Sequence, residues 1–207
     1  MKKLILKTAL ITFLAACVVF LAVFGILSLA APVTMMNFTA SLGMDGMSSD
    51  YAYEAYTRSD DLGYLALAAE VSFANGSYQK ADERFDELMA RGDFADYCKA
   101  RDESAGAYEN TNTTGTFAAY IYSSSACAKY HLAVTDEEKV AVIGFAIEKT
   151  DGSFPEYNAV ISLAVEARRA EDKDFCKQLA TVLDTSEKFD GENTDLKNVK
   201  KFLEDFE

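Results

Sequence analysis

The chain has 207 residues, half of them apolar, with only two prolines and no tryptophan; this leaves room for a membrane segment and one ordinary domain of helices rather than a turn-rich sheet sandwich. Its formal charge of −13 is unevenly placed: three of the 20 basic residues (Lys2, Lys3 and Lys7) and no acid precede residue 45, leaving 17 basic against 33 acidic side chains, a net −16, beyond it. A domain that acidic repels a phosphate backbone, so nucleic acid is not expected as a partner.

Residues 1–7 form a basic tip and residues 8–31 an expected transmembrane anchor. From Thr8 to Met44 no side chain is charged, and residues 9–31 are almost all Ala, Val, Leu, Ile and Phe. At 1.5 Å per residue that stretch is about 35 Å long as a helix, enough for a hydrocarbon layer of about 30 Å. The lysines lie just before it, whereas the first basic residue after it is Arg58; the positive-inside bias then puts the N-terminus in the cytoplasm and the rest outside. Two other fates share some of these features. Cleavage near Ala30 or Ala31, as in a secretory signal peptide, is opposed by the length of the apolar run and by Pro32. Leu14-Ala15-Ala16-Cys17 has the form of a bacterial lipobox, but Val18 and Val19 stand where small polar residues normally follow the lipidated cysteine. The span has neither a Gly-xxx-Gly pair nor an ionisable residue and reads as a passive anchor.

Residues 32–50, rich in Met, Ser, Gly and Thr without a clear period, read as a juxtamembrane linker, and residues 51–207 as an acidic helical domain outside the membrane. Tyr51, Tyr53, Tyr56 and Tyr64 open that domain, suiting either an interfacial aromatic belt or the packing of a first helix. A helical stretch over 65–74 runs into the breaker Asn75-Gly76. Beyond it, Tyr78, Ala81, Phe85, Leu88 and Met89 share one helix face, which predicts an antiparallel pair. Thr135-x-x-Glu138 is a capping box opening a helix with Val140, Ala141, Ile143, Phe145 and Ile147, and residues 117–133 supply its partner. Gly152 is expected to end that helix, and Ser153-Phe154-Pro155-Glu156 to cap the next. Phe175, Leu179, Val182 and Leu183 mark a returning helix, and Leu196, Val199, Phe202, Leu203 and Phe206 a closing one.

The segment Gly76-x-Tyr78-x-x-Ala81-x-x-x-Phe85 resembles the second helix of the tetratricopeptide repeat. In the preceding helix Ala69 holds the small position, while Leu65 and Ser72 stand where the family has Trp and Tyr. Ala141 and Phe145 give a second Ala-x3-Phe, with Lys129 at the position expected to be small and a spacing of 60 residues where the family has 34. The resemblance implies hairpins whose concave side binds a peptide or a protein segment. The expected fold is therefore all-α: one N-terminal membrane helix, then a stack of antiparallel hairpins, either a tetratricopeptide-like solenoid or an irregular bundle.

Chemistry-bearing patterns are sparse. His131 is the only histidine, and it lies in an apolar-looking helix where a packed or surface role is expected. Cys98, Cys127 and Cys176 have no CxxC or HxxxH companion and suit buried helix positions as free thiols, the alternative being one disulfide with one spare thiol. The acidic runs Asp82-Glu83 with Asp86-Glu87, and Asp184 through Asp195, lack the alternating spacing that wraps oxygen ligands around calcium, and read as solvated faces. No glycine loop of a phosphate-binding type occurs. Asn37, Asn75 and Asn112 head Asn-x-Ser/Thr triplets, relevant only in a eukaryotic source. No catalytic, cofactor-binding or metal residue is assigned. The expected function is non-enzymatic: a membrane-anchored helical protein that binds or scaffolds a protein partner at the outer face of a bacterial cytoplasmic membrane, as an accessory subunit of a membrane or secretion complex. The alternative is an extracytoplasmic solute- or cation-binding domain.

Overall fold

The structure, a computed structural model, describes residues 2–105, 116–150, 158–188 and 194–205. Among these residues it contains eleven α-helices and no strand: α1 (Lys2–Ala30), α2 (Pro32–Ser41), α3 (Asp45–Ser59), α4 (Leu62–Ala74), α5 (Tyr78–Ala90), α6 (Phe94–Ala105), α7 (Phe117–Leu132), α8 (Asp136–Lys149), α9 (Ala159–Arg169), α10 (Lys173–Thr185) and α11 (Thr194–Glu204). They fall into two units, Met1–Val71 and Ser72–Glu207.

In the first unit, two apolar helices have opposite surroundings. The stretch Lys7–Ala30 of α1 is long and apolar enough to cross a membrane, and none of it is buried; Leu10, Phe13, Val19, Ile26 and Leu29 all stand exposed. In α4, by contrast, Leu62, Leu65, Ala66, Ala68 and Ala69 are buried. Ala31 leaves helical geometry and Pro32 takes the first position of α2, where its missing N–H costs nothing. Gly43 ends α2 at φ +69, with the Gly43 amide donating to Ala40 O and the Met44 amide to Thr39 O. This paired closure needs a left-handed residue. Beyond it α3 packs on α2, the Ser48 hydroxyl donating to Met36 O and the Ser49 hydroxyl to Ala68 O of α4. Tyr51, Tyr53 and Tyr64 surround the buried Met36, Ala52 and Ala68.

The second unit is built around α7. From Ser123 to Ala128 six consecutive residues are buried, so α7 has no solvent face over that stretch and is covered by α5, α6, α8 and α9. Only small side chains (Ser123, Ser124, Ser125, Ala126, Cys127, Ala128) let four helices approach one backbone this closely. The larger core residues come from the neighbours: Ile143 on α8, Val160 and Leu163 on α9, Phe175, Leu179 and Leu183 on α10, Leu196 and Leu203 on α11. The same left-handed closure recurs at Gly76 (φ 77), with the Ser77 amide on Ser72 O, and at Glu171 (φ 55), with the Asp172 amide on Ala167 O.

Several expectations change. Residues 32–50, read as a juxtamembrane linker, form α2 and the first turns of α3, whose packing rests on Met, Ser and Ala and so carries a weak periodic signal. On α8 the buried face is Val142, Ile143 and Ala146, whereas Val140 and Ala141 are exposed, because α8 lies between α7 and α9 along the other side of the helix. The α9 start that is described is capped by Asn158, whose side chain accepts from the Ile161 amide at 2.8 Å. Gly152, the Ser153–Glu156 cap, Asn112 and Phe206 lie outside the described residues.

Candidate functional site

The polar groups that sequence reasoning singled out, or passed over, meet along the edges of α7. Lys129, which occupies the expected small position, extends its ammonium to Asp82 at 2.6 Å and Asp86 at 2.9 Å on α5 and lies 5.3 Å from the centre of the Phe145 ring. Burial works against the Lys129 charge, but hydrogen bonds and charge from two carboxylates hold its pKa above the ordinary lysine value. Asp82 moves up as well: its burial, with Asp86 and Glu83 nearby, outweighs its share of one ammonium. The acidic run over 82–87 is therefore in part an internal ion-pair site for Lys129.

His131, two residues further along, is sandwiched rather than free. Its ring stacks on Tyr78 of α5 at 3.9 Å between centroids and 10° between planes, and Nε2 lies 2.8 Å from Glu166 Oε1 on α9. The other Glu166 oxygen lies 3.6 Å from Arg169. These contacts pin α5, α7 and α9 together.

A third polar node joins α7, α8 and α10. Asp172 accepts from the Phe175 amide at 3.0 Å as the N-cap of α10, from Lys139 Nζ at 2.9 Å and from the Tyr130 hydroxyl at 3.3 Å. Burial tends to raise this carboxyl, but the Lys139 ammonium and the two hydrogen bonds together hold it below the usual carboxylate range. Tyr130, desolvated and facing that negative charge, is pushed above its ordinary value while its ring packs on the edge of Phe175 at 4.7 Å.

The cysteines form no disulfide, and Cys127 lies one turn before His131 on α7. Cys98, Cys127 and Cys176 are buried free thiols. Burial pushes Cys98 up to about 11, with Asp102 adding to it, and Cys127 up to about 12, with Glu166 adding to it. At neutral pH such thiols are not nucleophiles. Among the described residues no group of three or more His, Cys, Asp or Glu is arranged to hold a metal ion.

One open cleft of about 420 Å³ lies between α10 and α11, lined by Lys173, Lys177, Asp174, Asp184, Ala180 and Leu203 among others; Asp184 is paired there with Lys200. His131 is not part of its lining. Around the turn from α7 to α8 the apolar Leu132, Val134 and Val140 are exposed, Val134 by 86%. Of these features the sequence singled out His131, the cysteines and the acidic runs at 82–87 and 184–195, the runs being read as solvated faces. The Lys129 and Asp172 nodes were passed over, although a lysine inside a run of Ser, Ala and Cys, and an Asp three residues before Phe175, were the available signals.

No protein-family model matches the chain, and neither a curated protein nor a solved structure matches it.

Proposed function

We propose that the chain is a single-pass membrane protein whose acidic helical part stands on the extracytoplasmic side and binds a protein partner there, as an accessory or scaffolding subunit at the outer face of the cytoplasmic membrane. The observation that carries this reading is the contrast between α1 and α4: both are apolar, but α4 has a buried face whereas the apolar stretch of α1 has no buried residue. An uncovered apolar surface of that length is stable in lipid and not in water. The lysines confined to the N-terminal tip, against a net −16 beyond residue 44, support the orientation.

Partner binding is supported by the α7–α8 turn, where Leu132, Val134 and Val140 expose apolar surface next to Asp136 and Glu137. That combination suits a partner offering an apolar contact with a basic rim. Within this reading the resemblance is supported at α5 and the turn before it: Ala81 and Phe85 are fully buried, and Gly76 has positive φ. Ala141, being exposed, does not extend the pattern to α8.

A photocrosslinking side chain placed at Val134 in the full-length protein, in cells of the source organism, tests the proposal. Adducts with one or a few proteins, absent when the same side chain replaces the exposed Glu187 and retained in the membrane fraction, are expected. Recovery of the chain in the soluble fraction, or identical adducts from both positions, would overturn it.

A further inference from the structure

We infer that α2 is a second membrane-contacting element, a short helix lying in the headgroup layer with its outward face toward lipid. The inference rests on the reading of α1 as a span.

Three observations lead to it. The first is charge. Beyond residue 44 about one residue in three is charged, yet the uncharged stretch that makes α1 continues through all of α2 and its closing turn, to Met44. A helix face that meets bulk water in so acidic a protein has no reason to lack charge over its whole length. The second is exposure. Pro32, Met35, Met36 and Thr39 are buried, while Val33, Phe38, Leu42 and Met44 stand between 36% and 57% exposed, joined by the small neutral Thr34, Ala40 and Ser41. Apolar anchors interspersed with uncharged hydroxyls suit the boundary between headgroups and acyl chains.

The third is placement. The Tyr51 hydroxyl lies 2.7 Å from Ser28 Oγ, and the Arg58 guanidinium donates to Leu29 O at 2.7 Å. Tyr51 and Arg58 are two turns apart on α3, about 10 Å along its axis, yet they reach neighbouring residues of α1. Hence α3 crosses the end of the span instead of continuing along it, and α2, paired with α3 through a tight turn, is held at the same level. A tyrosine and an arginine at the end of a span are also the side chains that settle in the interfacial layer, where apolar and wet surroundings meet.

The absence of tryptophan permits a direct test with single-Trp variants of the full chain in phosphatidylcholine vesicles, using lipids brominated either near the headgroup end or near the tail end of the acyl chains. F38W and L42W report α2, F20W reports the span, and V134W, at a side chain that is 86% exposed, reports solvent. Expected are loss of F20W fluorescence with the deep bromines, loss of F38W and L42W fluorescence with the shallow ones together with emission shifted to shorter wavelength, and V134W unaffected by bromine but quenched by iodide. If F20W is quenched while F38W and L42W stay open to iodide, α2 faces water; the inference then fails and the anchor stands. Short-wavelength emission from F38W without bromine quenching would mean that protein covers the face, which also overturns the inference. An unquenched F20W would remove the span and the inference with it.

Discussion

At the scale of single residues, the second unit places three charged nodes where helices cross, and each uses a side chain that its local sequence does not advertise. Asp172 is the clearest case for measurement. Its carboxyl is held below the ordinary range in the folded state, so its stabilising contribution is complete at neutral pH and is lost as pH falls through the depressed folded value. Asp172→Asn keeps an N-cap and removes the charge. Urea denaturation at pH 7 should show a loss of about 1–2 kcal/mol, as for a charge-assisted hydrogen bond, and the gap to the unaltered chain should close as pH is lowered through and below the carboxylate range. A gap independent of pH would show that Lys139 does not depend on the Asp172 charge. The nodes were illegible in the sequence because each pairs residues 33 to 47 positions apart, a distance at which no local pattern operates. His131 and the cysteines were legible as packed groups because their neighbours in sequence are themselves apolar and helical.

At the scale of the element, several helix starts follow local chemistry, whereas some helix ends draw on residues distant in sequence. The Thr135–Glu138 box forms as its spacing dictates: the Glu138 amide donates to Thr135 Oγ1, and the Thr135 and Val134 amides donate to Glu138 Oε2. Three C-termini are instead closed by cations from elsewhere: Arg58 on Leu29 O of α1, Lys188 on Ile147 O and Glu148 O of α8, Arg168 on Phe202 O of α11. In a chain poor in basic residues these positions satisfy carbonyls that the helix itself leaves unpaired, at the negative end of its dipole. Lys188→Met should lower stability by about 0.5–1 kcal/mol, since the site is exposed. Thermal denaturation at low salt is the measurement, and an unchanged midpoint would show that water replaces the ammonium without loss. Of the helix starts that went unread, α2 has no side-chain cap, and α6 is anchored by packing: Phe94 and Cys98 are buried, with Phe94 against Tyr122.

At the scale of the whole molecule, the net −16 beyond residue 44 acts as diffuse repulsion that local ion pairs only partly offset. Raising NaCl from about 10 mM to about 150 mM shortens the screening length from about 30 Å to about 8 Å. The melting temperature should therefore rise, and MgCl2 or CaCl2 at matched ionic strength should raise it equally. A calcium-specific excess would favour a bound cation instead, because a ligand held only by the folded state stabilises by mass action. The all-α class was legible at this scale, since period and punctuation agree along most of the chain. The central place of α7 was not, because a helix covered on every side by small residues has no amphipathic stripe to read. That same helix sets the order of assembly. Its partners α5, α6, α8 and α9 flank it on both sides along the chain, so none of them lies more than two helices away. The second unit should therefore fold quickly around α7, with the transition state already holding native contacts at Ile121 and Ala126.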